Sequence, residues 1–367
     1  MRILVVLTET GSYGGTFRFL ERLLEAHRRR GIDTVLLVPA GEPPGALTGL
    51  ASRYRVDLRQ AANRNRPGTF PLATPLFDLA FCWRAIWSCR PDLVLVSTAD
   101  PGRMSVALYL PVPVLYMLHS VPEHRFRILP RWYLGLGARL GNSIVTVSGG
   151  AADLIAQRMG IPRGAISVLH NSSLCSAAPQ ERDREPLILT AGHVVGYKNP
   201  QLWLETARLV LREHPQARFV WLGDGPLLDD MRRQVRDLSL QEQVLFAGYV
   251  PDTGSWYCRC AVYLQPSRME SHGIAVLEAM AHRLPCVVSN VGGLPDSVLD
   301  AETGYLCPPD DAASFARRIL ELLADPDLRE RLGRAGGERV ETEFSPESQE
   351  RGLMDLYRRL LSSTGEP

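Results

Sequence analysis

The chain has 367 residues, 45% hydrophobic and 22% charged, which excludes a disordered chain and exceeds one ordinary core; two domains of roughly 170–190 residues are expected. Its net charge of +1 hides a split: residues 1–172 carry 20 basic and 11 acidic side chains (+9), leaving 41 − 20 = 21 basic and 40 − 11 = 29 acidic (−8). A basic half suits an anionic partner or surface, or simple attraction to the acidic half.

Met1 and Arg2 lead straight into a strand-like run at 2–7, so no signal peptide is expected and the location predicted is cytoplasmic. A glycine-rich turn follows, with Gly11, Gly14 and Gly15, then an amphipathic helix at 16–30 that repeats Phe17, Leu20, Leu23, Leu24 and His27. Further strands are expected at 33–39, 92–97, 112–118, 143–148 and 166–170, with helical stretches between them. Residues 60–71, holding Arg64 and Arg66, read as a basic loop. The longest apolar run, 104–118, is broken by Ser105, Pro111 and Pro113 and is short of the roughly 20 residues that span a membrane.

Residues 173–186 turn polar and read as a linker between an N-terminal domain (1–172) and a C-terminal domain (187–344). The strand–helix rhythm then restarts. Strands are expected at 187–191, 217–222, 244–246, 261–264, 286–289 and 304–307, and helices at 199–212, 226–238, 274–282, 312–323 and 328–341. Ser345-Pro346-Glu347 signals the start of a last helix and tail, 345–367. This alternation predicts an α/β protein of two Rossmann-like, doubly wound domains facing across a cleft, where such sheets bind ligands.

Four stretches could carry chemistry. After the strand at 261–264 comes a loop with Glu270, Ser271, His272 and Gly273, then a helix from Ile274 that carries Glu278. Backbone N–H groups at that helix start make an anion site, and the two acids flanking it suit a phosphate ligand that also bears hydroxyl groups. After the strand at 187–191 come His193 and Lys198. Lys198 is the single lysine beside 40 arginines, placed where a cation meets a diphosphate in this architecture. Gly223 and Asp224 close the next strand. Asp224 either faces the cleft or caps the following helix. His119 stands just past a buried strand and is expected to face the cleft. The seven cysteines show no paired metal spacing, and Asp325-Pro326-Asp327 lies between two helices, where Asp327 is expected to be a cap; no metal site is expected.

Together these residues resemble the retaining glycosyltransferases of family 4, the glycosyl transferases group 1, which have the GT-B fold. The match is densest at 187–309: Gly192 to Lys198, Gly223-Asp224-Gly225-Pro226, Pro266-Ser267, the Glu270/Glu278 pair and Gly292-Gly293 keep the family's order. In the first half it rests on Gly14-Gly15, His119 and Ser148. The resemblance implies a nucleotide-sugar donor, UDP- or GDP-linked, with no metal and no other cofactor, and a last helix that crosses back to the first domain. Lys198 would neutralise the diphosphate, Glu278 would bind the ribose and Glu270 would face the sugar. The N–H groups after Glu270, through Ile274, would cradle the distal phosphate. Gly14 and Gly15 would line the cleft, and His119 would lie near the transferred sugar. His193 stands where an arginine is usual, and His272 where a phenylalanine is.

The acceptor implied is a saccharide or a lipid-linked one, with no nucleic-acid partner. The basic loop at 60–71 and the aromatic-bearing stretch 124–133 suit an anionic membrane surface, or else an ordinary amphipathic helix on the sheet. Two alternatives remain at this stage: a sugar-nucleotide epimerase of the same fold, and a two-domain sugar-binding protein without chemistry.

Overall fold

The structure is a computed structural model, and it describes residues 1–8, 15–38, 45–60, 74–99, 105–121, 136–137, 142–173 and 184–363. The chain divides into two compact units, one of Met1–Asn171 with Gln349–Pro367, the other of Ser172–Ser348.

The first unit holds a seven-stranded sheet with the strand order β3-β2-β1-β4-β5-β6-β7. The strands are β1 (Arg2–Leu7), β2 (Asp33–Val38), β3 (Asp57–Gln60), β4 (Leu93–Thr98), β5 (Val114–Leu118), β6 (Ser143–Thr146) and β7 (Ile166–Val168), each parallel to its neighbours. A parallel sheet must be covered on both faces, and β1 shows how its sequence serves that. Ile3, Val5 and Leu7 pack with Leu20, Leu23 and Leu24 of the helix Gly15–Arg29, while Leu4 and Val6 face Ile86, Leu108 and Ile155 on the other side. Period-two alternation thus feeds two separate cores from one apolar run.

The first of these cores is completed from the far end of the chain. Leu353, Leu356, Tyr357 and Leu360 of the last helix, Pro346–Ser363, sit at helical spacing and pack into the Ile3/Val5 layer. Tyr357 Oη lies 2.9 Å from His27 Nε2, and Glu350 pairs with Arg29 and Arg30. The expected return of this helix to the first domain is what the structure shows.

The second unit holds a six-stranded parallel sheet, in the order β10-β9-β8-β11-β12-β13. The strands are β8 (Glu185–Ala191), β9 (Arg218–Leu222), β10 (Val244–Gly248), β11 (Cys260–Gln265), β12 (Cys286–Ser289) and β13 (Gly304–Cys307). One face buries Trp203, Phe219 and Trp221, whose rings meet edge to face at 5.5 and 5.6 Å. The other buries Leu277, Met280, Val340 and Phe344.

Three local expectations differ from the structure. β3 reads Asp-Leu-Arg-Gln and is half exposed at the sheet edge, so no apolar run announced it. The short helix Gly254–Arg259 was likewise not expected, since six residues hold too little periodicity to detect. The cap at 325–327 is Asp325, not Asp327: Asp325 accepts from Leu328 N at 2.9 Å, and Pro326 then opens the helix Pro326–Glu343.

Candidate functional site

The strand order reverses between β8 and β11, so the loops leaving their carboxyl ends diverge and leave a crevice there. Those are the loops that carry Lys198 and Glu270. Residues after β8 run through Gly192 and the 3₁₀ turn Gly196–Lys198 to Asn199, whose left-handed φ of 57° lets Pro200 begin the helix Pro200–Glu213. The loop after β9 is laced to it: Val194 N donates to the Asp224 carbonyl at 2.9 Å, and Leu227 N to the Val194 carbonyl at 3.1 Å. Gly223, at φ 147°, lies so close to the Gly192 carbonyl that a side chain there would overlap it. The loop after β11 joins through Arg268 N, which donates to the Tyr197 carbonyl at 2.7 Å. Three loops therefore hold one another by backbone contacts.

Within that frame Lys198 Nζ lies 2.7 Å from Glu270 Oε2, and the two side chains are only 12% and 14% exposed. Burial by itself pushes the ammonium down, but the charge and hydrogen bond of Glu270 outweigh it and leave Lys198 above its ordinary value. Glu270 is fixed from behind. Its carbonyl accepts from Gly293 N at 3.0 Å, and Gly292 (φ 53°) approaches the same carbonyl too closely for any side chain. Gln265 Nε2 donates to Ser267 Oγ at 2.7 Å and reaches Glu270 Oε2 at 3.5 Å. Tyr263 Oη in turn donates to Gln265 Oε1 at 2.9 Å.

Gly273 adopts φ 84° and opens the helix Ile274–Ala281. Val276 N and Leu277 N already bond the Gly273 carbonyl, and the Glu270 carbonyl one turn before Ile274 accepts from Gly293 N, so the N–H groups of Ile274 and Ala275 are those the helix start presents. Ser271 is partly buried on the loop before it. The His272 imidazole turns away, 1% exposed and 5.5 Å from the Phe344 ring, so only its backbone belongs to the loop surface. Glu278, half-buried one turn along, accepts from Tyr257 Oη at 3.2 Å.

His193 and Asp224 are exposed on the loops after β8 and β9. Asp224 does not cap the next helix, which begins only at Leu228; its Oδ1 accepts from Gly225 N at 2.7 Å, shaping the loop. In the first unit, His119 follows β5, with Nε2 2.9 Å from Ser97 Oγ and its ring 4.7 Å from Phe19. Burial pushes its imidazole down to about 4, so it is neutral near pH 7. Gly15 is the first residue of its helix, whereas Gly14 lies outside the described residues, as do nearly all of the basic loop at 60–71 and the stretch 124–133.

The reading of the sequence named Ser267 only as part of the Pro266-Ser267 motif and missed Tyr257, Tyr263 and Gln265, all placed around the two glutamates. One signal was available: Tyr263 and Gln265 are polar-tipped residues two apart on one face of an otherwise apolar strand. Among the described residues, no group of three or more His, Cys, Asp or Glu side chains is placed to hold a metal ion, and no helix is long and apolar enough to cross a membrane. Chemically, the second unit's site offers a buried ammonium with three N–H donors, one of them engaged by Glu270, beside a helix start and two carboxylates. That set can take an anion and hydroxyl groups together.

Comparison with known proteins finds matches over both halves of the chain. The model for glycosyl transferases group 1 matches residues 175–339, and that for glycosyltransferase family 4 matches residues 13–172. A lipopolysaccharide core biosynthesis mannosyltransferase of Rhizobium leguminosarum is 33% identical over 297 residues, covering 76% of this chain and 79% of the relative. A sulfoquinovosyl transferase of Arabidopsis thaliana is 26% identical over 69% of this chain and 54% of its own length, and an alpha-D-kanosaminyltransferase of Streptomyces kanamyceticus 28% over 48% and 47%. The match thus spans about half the length of these last two relatives. Among solved structures, a Rickettsia africae glycosyltransferase superposes with a TM-score of 0.82 at 16% identity, covering 98% of both chains. Anabaena HepE, solved with UDP and glucose, gives 0.78 at 17% identity over 97% of this chain and 99% of its own.

Proposed function

This chain belongs to the glycosyl transferases group 1, with the GT-B fold, and from that premise we propose that it moves a sugar from a nucleoside-diphosphate sugar to an acceptor hydroxyl with retention of configuration. The observation that carries the reading is the Lys198–Glu270 pair at the β8/β11 switch point, next to the start of the helix Ile274–Ala281.

The chemistry follows from where charge develops. The bond from the sugar's anomeric carbon to the phosphate oxygen breaks, and its electrons stay on the diphosphate. Donors already aimed at that oxygen lower the barrier without reorganising. Lys198 keeps two N–H donors for it while the third holds Glu270, and the helix start adds backbone donors and the positive end of its dipole. The acceptor oxygen forms the new bond from the same face, and its proton passes to the departing phosphate. Glu278 accepts from the ribose hydroxyls and Glu270 from the sugar's. His119, being neutral, suits contact with uncharged hydroxyls more than with phosphate. No metal is assigned a step.

The donor base proposed first is uracil, because the neighbour HepE is held with UDP, with guanine next. For the acceptor, we propose a saccharide, free or lipid-linked, met at the cytoplasmic face of an anionic membrane. Trp83 and Trp87, one helical turn apart on Thr74–Cys89, are 40% and 74% exposed with Arg84 beside them in the basic first unit. Such side chains favour a headgroup layer.

The test is a thermal-shift panel of UDP, GDP and ADP and their hexose conjugates, followed by measurement of diphosphate release. One nucleotide series should stabilise the protein, and its sugar conjugate should be slowly hydrolysed without acceptor, with both effects lost in Lys198→Ala. Stabilisation without release in any acceptor mixture would point to a binding protein and overturn the transferase reading.

A further inference from the structure

Tyr257 stands against Glu278 and takes no part in the function proposed above. It lies on the short helix Gly254–Arg259, is 1% exposed, and directs its hydroxyl at Glu278 Oε2 (3.2 Å) and the Ala275 carbonyl (3.4 Å). A phenol has one proton to donate, and the carboxylate is both the nearer and the charged acceptor.

The ring cannot easily swing away. It stacks on His282 at 5.0 Å with the planes 24° apart. His282, which caps the end of the helix Ile274–Ala281, in turn has Nδ1 2.8 Å from the Glu278 carbonyl. Arg184 ties both partners from below: Nη2 donates to the His282 carbonyl at 2.7 Å, and Nη1 to the carbonyls of Cys260 (3.0 Å) and Tyr257 (3.5 Å). Burial and the neighbouring Glu278 hold the Tyr257 hydroxyl well above its ordinary value, so it stays a donor through the physiological range.

We propose that Tyr257 is a positioning residue for nucleotide recognition: by holding one oxygen of Glu278, it fixes the rotamer through which that carboxylate accepts from the ribose 2′- and 3′-hydroxyls. The inference rests on the reading that Glu278 meets the ribose. A carboxylate at the end of a two-carbon side chain has rotamer freedom to lose, and a buried phenol restrains it at less desolvation cost than a cation would incur. Tyr257 therefore sets how strongly the site prefers ribose over sugars lacking those hydroxyls.

The experiment measures dissociation constants of the full chain for UDP and GDP, each beside its 2′,3′-dideoxy form, in wild type, Tyr257→Phe, Glu278→Ala and the double variant. Tyr257→Phe keeps the ring and its stack, and its thermal midpoint checks the fold. The expected result is at least an about threefold loss for the ribonucleotide in Tyr257→Phe, a gap of about 0.65 kcal/mol. The dideoxy form should be unaffected, and the double variant should bind no more weakly than Glu278→Ala. A wild-type ribose preference retained by Tyr257→Phe while Glu278→Ala loses it would overturn the role of Tyr257 alone. Preference retained in Glu278→Ala would overturn the ribose assignment itself, and failure of both nucleotides to bind would overturn both.

Discussion

Lys198 Nζ and Glu270 Oε2 lie 2.7 Å apart although 72 residues separate them, and each side chain is more than four-fifths shielded from water. A buried pair of this kind is costly to break from one side, because the surviving charge keeps its desolvation penalty and loses its partner. Lys198→Met should therefore lose about 10²–10³ in turnover and also about 3–5 kcal/mol of stability. Lys198→Met with Glu270→Gln should recover much of the stability and none of the activity. Paired steady-state kinetics and urea melts check this. Equal stability of the single and double variants would mean that the pair does not couple.

Gly223 and Gly196 lie on adjoining loops but differ in what surrounds them. An added carbon at Gly223 would overlap the Gly192 carbonyl at a left-handed φ of 147°, whereas at Gly196 it would meet nothing within 4 Å. Gly223→Ala is expected to cost roughly 1–3 kcal/mol or more and to weaken nucleotide binding, since Gly192 lies against Lys198. Gly196→Ala should stay within about 0.5 kcal/mol of wild type. Chemical denaturation and a nucleotide titration of both variants decide the matter.

Acid should destabilise the first unit through His27. Its imidazole, 1% exposed between Thr34 and Tyr357, is pushed by burial down to about 4. The unfolded chain takes up that proton at its ordinary 6.5, so the unfolded state binds more protons as pH falls. Stability should be level above about pH 7.5 and fall progressively from about 6.5 to 4, by roughly 3 kcal/mol for this group. His119 acts in the same direction over the same window. Melting curves from pH 8 to 4.5 should show this fall, and His27→Leu should show a shallower one. A flat wild-type profile would contradict the assignment.

The exposed tryptophans give a surface prediction. Wild-type protein should co-sediment with vesicles containing phosphatidylglycerol, less so in high salt, and not with neutral phosphatidylcholine vesicles. Trp83→Ser with Trp87→Ser should weaken this at least severalfold while the fold, checked by the melting temperature, is kept, because Trp87 is 74% and Trp83 40% exposed. Undiminished binding by the double variant would remove this helix from the docking face.

Much of the architecture was readable from the order of residues. Apolar runs such as Ile3-Leu4-Val5-Val6-Leu7 and Val262-Tyr263-Leu264 identified central strands, because strands buried on both faces need no polar alternation. β3 was not readable, because an edge strand with exposed Asp57 and Gln60 carries no such run. Lys198, Glu270 and Glu278 were legible as a group from residue type and position at strand ends. The dense hydrogen bonding behind them was not: Gln265 and Tyr257 look like ordinary strand-end and helix residues until their partners are known.

Two parallel α/β domains and the charged residues on the loops after their strands follow from the order of residues alone. Local periodicity and turn chemistry encode those features within a few residues of one another. That Lys198 pairs with Glu270, that Tyr257 stands behind Glu278, that the His272 ring faces Phe344, and that the last helix covers the Ile3/Val5 layer emerged from the folded chain. Each of these joins residues that only the crossover order of the sheets, or the docking of a helix on a distant core, brings together. Which side chain meets which is then settled by packing and desolvation, and short-range sequence patterns do not carry that information.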